Sequence, residues 1–500
     1  MNNRYFVACF QVAFGLVLTL GDCNAGFAKE TKRLNAFLSF ATFTSPETGP
    51  YIETYLTVEG ESVYYMKNEN NQYQASLQVI YLFRKDQEII NYDKYELNSP
   101  AVADTSGGVR FNFIDQQRYS LANGTYEFEV QIWDKNSKEK PFISIQPLVI
   151  EYPEDKVTVS GIQLVGSYAK TDKPGTFSKN GFDVVPYIFT FYPEHIDKII
   201  FYTEIYNTGK VLGEEQKYLL SYYLEAMGQE KPMARYVAHK KEIAAPVNIL
   251  FGEFDISELA SGNYYLIIEA KDQQNQLLGS NRVFVMRSNP VIQMKIDDVN
   301  QLDISSAFVS RMRDLDSLRN YIRYLEPIST DQEKSFALRH LASSGLSTLQ
   351  KFFYKFWSDR NESEPEKMWL NYLNEVNKVN YAYSTQIQKG YETDRGRIYL
   401  KYGPPNAISE SYYEPGTYPY EIWQYYVLKD GQRNKKFIFY TKDVVTNDFA
   451  LLHSDVPGEI SNYRWQYMLY QRVDPGFDID QGAAIDNWGG NSKKYFDLPR

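Results

Sequence analysis

The sequence predicts a multidomain protein that is mainly β at first and α+β toward its C-terminal end. A chain of 500 residues exceeds what one hydrophobic core usually supports, so several domains are expected. Residues 34–152 and 156–287 contain short alternating apolar segments separated by Gly, Pro, Asn and Asp. From residue 290 onward the apolar residues recur at every third or fourth position instead. We therefore expect two tandem Ig-like β-sandwiches, a helical segment, and a small α+β domain with an antiparallel sheet.

The first 25 residues are typical of a secretory signal peptide. Arg4 precedes an apolar run from Tyr5 to Leu20, and Cys23-Asn24-Ala25 supplies the small residues of a cleavage site. The alternative is lipidation of Cys23, although Asp22 fits that signal poorly. We expect export to the periplasm or the outer membrane, with no transmembrane segment in the mature chain. Both cysteines, Cys9 and Cys23, precede the cleavage site, so a mature chain without disulfides or thiolate ligands is expected.

The composition bears on the class of partner. The formal net charge is −10, and an acidic balance argues against nucleic acid, because phosphates require an excess of Lys and Arg. It argues equally against electrostatic docking on anionic lipid. The 43 tyrosines and 30 phenylalanines favour strands with broad half-buried surfaces.

Both predicted sandwiches consist of segments with the period of two that marks a half-buried strand. In the first sandwich these segments are residues 34–43, 52–58, 73–83, 109–113, 126–133 and 143–150. In the second they are residues 157–165, 187–191, 199–206, 218–226, 247–254, 264–270 and 282–286.

The two halves also share a sequence phrase. Leu121-Ala122-Asn123-Gly124-Thr125-Tyr126 matches Leu259-Ala260-Ser261-Gly262-Asn263-Tyr264, and Asp134 and Asp272 follow at equal distance. In each copy a Gly turn delivers a Tyr to an alternating strand, as in the tyrosine corner of Ig-like sandwiches. We interpret this as an internal repeat; the alternative is a common turn-to-strand phrase.

Residues 290–344 are predicted to form a helical connector. Apolar residues from Phe308 to Leu325 make one stripe, and Pro327 ends that helix. Ser329-Thr330 predicts the N-terminal cap of the next helix. Helices over residues 346–357 and 365–388 follow inside an α+β domain predicted for residues 345–472, and we expect the helices to flank its sheet. Residues 473–500 are predicted to be an extended or disordered tail.

The segment 389–408, KGYETDRGRIYLKYGPPNAI, concentrates residues with restricted conformations. We expect Gly390 to end a helix in the αL conformation, and Thr393 and Asp394 to hold a turn in which Gly396 supplies a positive φ. Residues 397–402 alternate like a strand, which Gly403-Pro404-Pro405 would stop. The predicted final sheet then contains residues 397–402, 421–427, 436–440 and 449–453.

The same segment resembles the GWxTD-domain family of secreted bacterial proteins. Its signature corresponds to Gly390-Tyr391-Glu392-Thr393-Asp394 followed by Arg395-Gly396-Arg397, with Tyr391 where the family has Trp. Further matching motifs are FFYKFW at 352–357, YGPP at 402–405, YEIWQYY at 420–426, FIFY at 437–440 and ALLHSDVPGEI at 450–460. The resemblance implies architecture and export, and it implies no biochemical activity.

No catalytic residue, metal site or cofactor is predicted. The four histidines are far apart in sequence, and no Cys/His spacing suits zinc. The sequence contains no phosphate loop, no G-x-G-x-x-G turn and no G-x-S-x-G elbow. His453-Ser454-Asp455 is typical of a turn at a strand end rather than of a catalytic relay.

Two carboxylates offer a catalytic alternative. Asp394 and Glu421 would approach each other if the first two strands of the final sheet paired, as the acid and base of a glycosidase. The structural interpretation is that Asp394 caps a turn and is held by Arg395 and Arg397, which makes it a poor general acid.

Aromatic residues crowd the segment from 412 to 426, which predicts either a stacking platform or a buried strand. Because Ile422 and Trp423 are adjacent, one should face inward and the other outward. The candidate binding residues are Tyr391, Asp394, Arg395, Arg397, Tyr420, Glu421, Trp423 and Tyr425.

Our first hypothesis is a non-enzymatic exported envelope protein that acts as a scaffold or adaptor for protein partners. The alternative is a glycan-binding or glycan-processing protein that uses the aromatic strand together with Asp394 and Glu421. Neither follows from the sandwich folds themselves.

Overall fold

The structure is a computed structural model, and it describes residues 32, 34–86, 88–173, 175, 177–229, 231–429, 431–462, 465–470, 492 and 496. The predicted signal peptide lies outside the described residues, as does the predicted tail apart from Ser492 and Phe496. Within these described ranges, helices long and apolar enough to cross a membrane are absent.

The first unit consists of two sheets around one core. Its strands are β1 (Ala36–Ser45), β2 (Gly49–Glu59), β3 (Met66–Lys67), β4 (Tyr73–Gln74), β5 (Ser76–Lys85), β6 (Glu88–Asn98), β7 (Asn112–Ser120), β8 (Gly124–Asp134) and β9 (Phe142–Ile150). The sheet orders are β1-β2-β7 and β6-β5-β8-β9, and β3 pairs with β4 in a separate hairpin. Alternate residues of β2 and β5, such as Leu56 and Val79, meet in the shared core.

The second unit also consists of two sheets around one core, and its sheets contain more strands. Its elements are β10 (Thr158–Val159), β11 (Gln163–Lys170), β12 (Ser178–Lys179), β13 (Phe182–Pro186), β14 (Phe191–Tyr192), β15 (Lys198–Tyr206), α1 (Thr208–Leu212), β16 (Lys217–Ala226), β17 (Pro232–Ile243), β18 (Val247–Asp255), β19 (Gly262–Lys271) and β20 (Leu277–Arg287). One sheet has the order β10-β15-β11-β13-β12 with β18 also paired to β15, and the other has the order β14-β20-β19-β16-β17. Both sheets contribute to one core.

The predicted strands correspond to most of these elements, but β3, β12 and β13 were not predicted. The predicted segment 109–113 overlaps β7 only at residues 112–113, and 187–191 shares only residue 191 with β14. Two long strands, β6 and β17, were also not predicted. Both lie at the edge of a sheet, where most of their side chains are exposed. Without a buried face there is no strict alternation of apolar residues for the sequence to display.

The sequence phrase shared by the two units forms the same hydrogen bond in both. The Tyr126 hydroxyl donates to the Ala122 carbonyl at 2.8 Å, and the Tyr264 hydroxyl donates to the Ala260 carbonyl at 3.0 Å. Asp134 and Asp272 likewise each accept a bond from the backbone N–H two residues later. The two units therefore contain the same corner, built from the same sequence phrase.

A helical region follows the two sandwiches. It contains α2 (Ile296–Asn300), a 3₁₀ turn (Phe308–Arg311), α3 (Leu315–Tyr324), a 3₁₀ turn (Glu326–Ile328), α4 (Asp331–His340), α5 (Leu346–Arg360) and α6 (Pro365–Tyr383). The predicted helix over 308–325 is divided, because Asp314 caps α3 by accepting the Ser317 N–H at 2.9 Å. The cap at Thr330 is confirmed as a capping box with Glu333.

These helices do not merely flank the final sheet, as expected, but enclose a core of their own. Val299, Phe336, Phe353 and Trp369 belong to it, and so it joins helices on both sides of residue 344. The fourth helix also ends earlier than predicted, at Tyr383.

The predicted strand over 397–402 is wrong: this segment is helical. The last region contains a 3₁₀ turn (Gly390–Glu392), α7 (Asp394–Tyr402), β21 (Ala407–Ser411), β22 (Tyr420–Val427), β23 (Arg433–Tyr440), a 3₁₀ turn (Val444–Thr446), β24 (Ala450–Ser454) and α8 (Trp465–Tyr470). The Thr393 hydroxyl caps α7 by accepting the Gly396 N–H, and Gly403 ends it with φ +90°. Ile398 packs on the sheet while Leu400 packs on α6, so burial on two sides mimics alternation.

The final sheet is antiparallel, as predicted, with the order β21-β22-β23-β24. Its first strand is β21 rather than residues 397–402. One face packs against α7 through Trp423 and Phe439, and the other packs against α8 through Ile422 and Ile438. The sheet is thus covered on both faces by helices.

Candidate functional site

The signature segment is built by two glycines in close contact with neighbouring backbone. A Cβ added at Gly396 would lie 1.8 Å from the Gly390 carbonyl oxygen, and one added at Gly390 would lie 2.1 Å from that of Val379. The expected positive φ at these positions is wrong, because both glycines have negative φ values. Their function is to let the 3₁₀ turn, α7 and α6 approach one another.

Tyr391 occupies a buried aromatic position between these elements. Its side chain is 4% exposed, and its ring lies edge-on to Tyr324 at 4.9 Å. The hydroxyl donates to Glu392 Oε1 at 2.7 Å. Tyr at the position of the family's Trp therefore retains its packing and has a partner for its polar end.

Arg395 is the centre of a buried polar cluster. Its Nη1 donates to Glu421 Oε1 at 2.7 Å, and its Nη2 donates to the Asn447 carbonyl at 2.9 Å. The guanidinium also lies 4.1 Å from the ring centroid of Phe449. Since Arg395 and Glu421 are only 5% and 3% exposed, this ion pair lies inside the protein.

Glu421 accepts two further hydrogen bonds. The Tyr412 hydroxyl donates to Oε1 and the Trp423 indole N–H donates to Oε2, both at 2.9 Å. The carboxylate is therefore enclosed by three donors from α7, β22 and the loop after β21. A carboxylate that is 3% exposed and enclosed in this way is not accessible to a substrate.

Asp394 does not pair with Arg395. Its Oδ2 accepts the backbone N–H of Leu451 at 2.8 Å, and its Oδ1 lies 3.7 Å from Nε of Arg397. It thereby joins the first turn of α7 to β24 and places a negative charge at the helix N-terminus.

Arg397 belongs to a second cluster, around Glu459. Arg397 Nη1 donates to Glu459 Oε2 at 2.9 Å, while Lys401 Nζ and the Tyr402 hydroxyl donate to Oε1 at 2.5 and 2.9 Å. Burial by itself raises the pKa of Glu459, but the positive charges of Lys401 and Arg397 outweigh it and hold that pKa below its ordinary value.

The three aromatic candidates on β22 are buried. Tyr420, Trp423 and Tyr425 are at most 2% exposed, and Ile422 is fully buried as well. The expectation that either Ile422 or Trp423 faces outward fails because α8 covers the second face of the sheet. These rings contribute to the cores and offer no accessible platform.

Three apolar side chains next to the Arg395 cluster are exposed, and none was among the sequence candidates. Ile387, Tyr413 and Val445 are 90%, 92% and 83% exposed on three different loops, and we call them the loop patch. Asn447 links two of these loops, since its Nδ2 donates to the Ser384 carbonyl at 3.2 Å. The Tyr412 ring lies 5.9 Å from that of Phe449 and brings the third loop alongside.

Sequence reasoning also missed Tyr412, Asn447, Phe449 and Glu459 as partners of the signature residues. They are 9 to 62 positions away from the groups that they contact, and nothing in local spacing indicates such contacts. Only the match of ALLHSDVPGEI at 450–460 to the family placed one of these partners, Glu459, with the signature. Within the described part of the chain, groups of three or more potential metal ligands are absent.

The fold and this site define the class of protein: a β-rich chain with a C-terminal α+β region built around a buried Arg–Glu pair. The family model of the GWxTD domain matches residues 294–464. This region of the chain therefore carries a GWxTD domain, as the resemblance predicted.

Comparisons with other known proteins give weaker likenesses. No curated protein matches the chain. Fibronectin(III)-like modules of Clostridium thermocellum CbhA are 11% identical, with 49% of this chain and 89% of that chain covered and a TM-score of 0.14. The β-glucuronidase 2 of Bacteroides uniformis is 6% identical, with 47% and 26% covered and a TM-score of 0.18. Likenesses at these TM-scores bear on neither the activity nor the ligands of this chain.

Proposed function

We propose that this chain is an exported, non-enzymatic protein of the bacterial envelope that acts as a scaffold or adaptor for protein partners. The supporting observation is the loop patch, three exposed apolar side chains on loops that are joined to the buried Arg395 cluster. Protein interfaces concentrate their binding energy in such aromatic and aliphatic side chains. The buried state of Arg395 and Glu421 supports a structural rather than a catalytic role for the signature.

The charges near the patch support a protein partner over a membrane. Lys389 and Lys442 are balanced by Asp443 and Asp448, all of them exposed. A surface without positive excess gains nothing from anionic lipid headgroups. An apolar centre with a mixed polar rim is the arrangement typical of protein–protein interfaces.

We also infer that both N-terminal sandwiches are Ig-like. The corners at Tyr126 and Tyr264, with the same hydroxyl-to-carbonyl bond four residues upstream, support this assignment. Mass spectrometry of the mature N-terminus tests export, with cleavage after Ala25 expected and an uncleaved Met1 contradicting it.

The test of the scaffold function compares a double substitution in the loop patch with a single substitution of an exposed apolar residue elsewhere. A double Tyr413→Ser, Val445→Ser variant should lose a specific envelope partner recovered by cross-linking, and the purified partner should no longer bind it in calorimetry. Leu338→Ser alters an α4 side chain that is 84% exposed and should retain the partner. Equal recovery by both variants would contradict the proposal. Binding of an oligosaccharide on a glycan array, with no protein recovered, would favour the glycan alternative.

A further inference from the structure

A groove of about 1160 Å³ separates the second sandwich from the GWxTD region. One wall is formed by the turn after β16 and by Tyr264 and Tyr265 of β19. The opposite wall is formed by α4, α6 and α7. None of the sequence candidates except Arg397 lines it, and it lies apart from the loop patch.

Direct contacts between the two regions fix the width of the groove. Gln432 Nε2 donates to the Tyr265 hydroxyl at 2.9 Å, which ties the β22–β23 hairpin to the second sandwich. A Cβ added at Gly458 would lie 2.8 Å from Asn263 Nδ2, so this loop also rests directly on β19. The groove is therefore a preformed cavity between two regions in contact.

The lining of the groove has an excess of positive charge in a protein whose net charge is −10. Six cationic side chains face four carboxylates: Lys231, Lys334, Arg360, Arg397, Lys401 and Lys429 against Glu225, Asp331, Glu375 and Glu459. Arg360 forms an ion pair with Glu333, and Glu375 forms one with Lys378, and neither Glu333 nor Lys378 lines the groove. Leaving out one cation and one carboxylate in this way does not change the positive excess. The excess thus remains with the other lining residues.

The excess is concentrated at the α7 wall. Arg397 and Lys401 both contact Glu459, Arg397 also lies 3.7 Å from Asp394, and the two cationic side chains remain 30% and 24% exposed. Burial lowers the pKa of Lys401, Glu459 opposes this shift, and the charges of Arg397 and Lys334 add to it. Lys334 of α4 lines the same groove as this pair. The three cations Arg397, Lys401 and Lys334 thus outnumber the two carboxylates at this wall, Glu459 and Asp394. A guanidinium and an ammonium also each have donors beyond the one given to Glu459.

We propose that this groove is a binding site for an anionic ligand, which it recognises through carboxylate or phosphate oxygens at Lys334, Arg397 and Lys401. Charge-assisted hydrogen bonds from Arg and Lys are the strong form of recognition for both kinds of oxyanion. Tyr372, Tyr399 and Tyr402 are half-buried in the same wall and provide ring faces for the body of the ligand. The proposal does not depend on the scaffold function.

Calorimetry on the full chain at fixed ionic strength tests the site with three probes: inorganic phosphate, glucuronate and glucose. Phosphate, glucuronate or both should bind, and whichever binds identifies the oxyanion. Glucose differs from glucuronate by the missing carboxylate and should not bind. Lys334→Gln avoids the Glu459 cluster and should weaken the anion about tenfold, the loss expected for one charge-assisted bond.

Two further variants complete this test. Lys231→Gln removes a charge from the opposite wall, where the side chain is exposed, and should weaken the binding of a ligand that spans the groove. Lys94→Gln removes the same charge from β6 in the first sandwich and should leave binding unchanged. The proposal is overturned if neither anion binds, if glucose binds as well as glucuronate, or if Lys94→Gln weakens binding as much as Lys334→Gln.

Discussion

Arg395 shows how a charged residue is accommodated inside this protein. Its guanidinium is removed from water and compensated by Glu421 and Asn447, with the faces of Phe449 and Tyr383 around it. The desolvation cost of such a charge is offset only while all partners remain in place. The residue therefore determines how α7, β22 and the loop before β24 fit together.

Arg395→Met should destabilise the protein by about 3–5 kcal/mol, because Glu421 would remain as a buried carboxylate without its cation. Denaturant unfolding of the full chain measures this loss. The matched control is Arg311→Met, whose pair with Glu366 is exposed and should cost at most about 1 kcal/mol. A loss of similar size in both variants would contradict the role assigned to the buried pair.

Gly396→Ala should be among the most damaging small substitutions in the chain. Its Cβ would overlap the Gly390 carbonyl oxygen at 1.8 Å, so the 3₁₀ turn and α7 would have to separate, at a cost of roughly 3 kcal/mol or more. Gly345→Ala provides the comparison, since a Cβ there meets nothing within 4 Å. The melting temperatures of the two variants test this expectation. A Gly396→Ala protein as stable as Gly345→Ala would contradict the close contact between residues 396 and 390.

At the scale of elements, each sandwich contains the same tyrosine corner, and the final sheet is covered on one face by α8. Each corner depends on one hydroxyl that reaches back over its own turn. The α8 helix seals the second face of the sheet with Trp465 and Leu469. Both features should respond to single substitutions in a predictable direction.

Tyr126→Phe and Tyr264→Phe should each cost about 1 kcal/mol, since each removes the hydrogen bond that its hydroxyl donates to the Ala122 or Ala260 carbonyl. If the corners are true repeats, the two losses should agree within about 0.5 kcal/mol in chemical denaturation. Tyr413→Phe, on an exposed ring, should have no measurable effect. Unequal losses at the two corners would argue against their equivalence.

His453 should make the docking of α8 sensitive to acid. Its Nδ1 accepts the Asn462 N–H at 2.9 Å, its ring stacks on Trp465, and burial lowers its pKa to about 4. The unfolded chain binds this proton near pH 6.5, so the folded state is stabilised above that pH and loses the contribution as pH falls toward 4.

Unfolding curves between pH 7 and 4 measure this effect against His453→Phe, which cannot titrate. The free energy of unfolding of the wild type should fall more steeply on acidification than that of the variant. Parallel curves would show that protonation of His453 does not destabilise the docking of α8.

At the scale of the whole molecule, a buried ion pair joins the two sandwiches. Lys179 of β12 contacts Glu53 of β2 at 2.7 Å and lies 3.7 Å from the ring centroid of Phe43. Apolar residues of both units, such as Tyr55 and Tyr202, share a small core around it. The sandwiches are thus packed together as one body rather than strung on a linker.

Lys179→Met should cost about 3 kcal/mol and split the unfolding of the two sandwiches into separate transitions in scanning calorimetry. Lys198→Met removes a cation from an ion pair with Glu253 that is half exposed on both sides, and should leave a single transition. A single transition in Lys179→Met as well would mean that the shared core, rather than the ion pair, couples the units.

The candidate site was only partly predictable from the sequence. The residues of the signature were found because glycines, a cap and charged side chains stand close together there. Glu421 was also a candidate, but as a partner of Asp394 rather than of Arg395. Asn447 was not found, because no local pattern encodes the closure of the loop that brings it to Arg395. The loop patch and the groove escaped notice for the same reason, since exposure is a property of the assembled surface.

The sequence by itself determined the β-rich order of the chain, the tyrosine corners, the capping box at Thr330 and the GWxTD resemblance. Each depends on short-range stereochemistry or on an apolar face of fixed period, which a few adjacent residues express.

Only the tertiary structure decided that residues 397–402 are helical and that the aromatic strand is buried on both faces. Over six residues a helix buried on two sides and a strand show the same alternation, so local pattern cannot separate them. The Thr393 cap, the contact of Gly396 with Gly390, and the covering by α8 arise from elements brought together by folding, and these contacts select the helix.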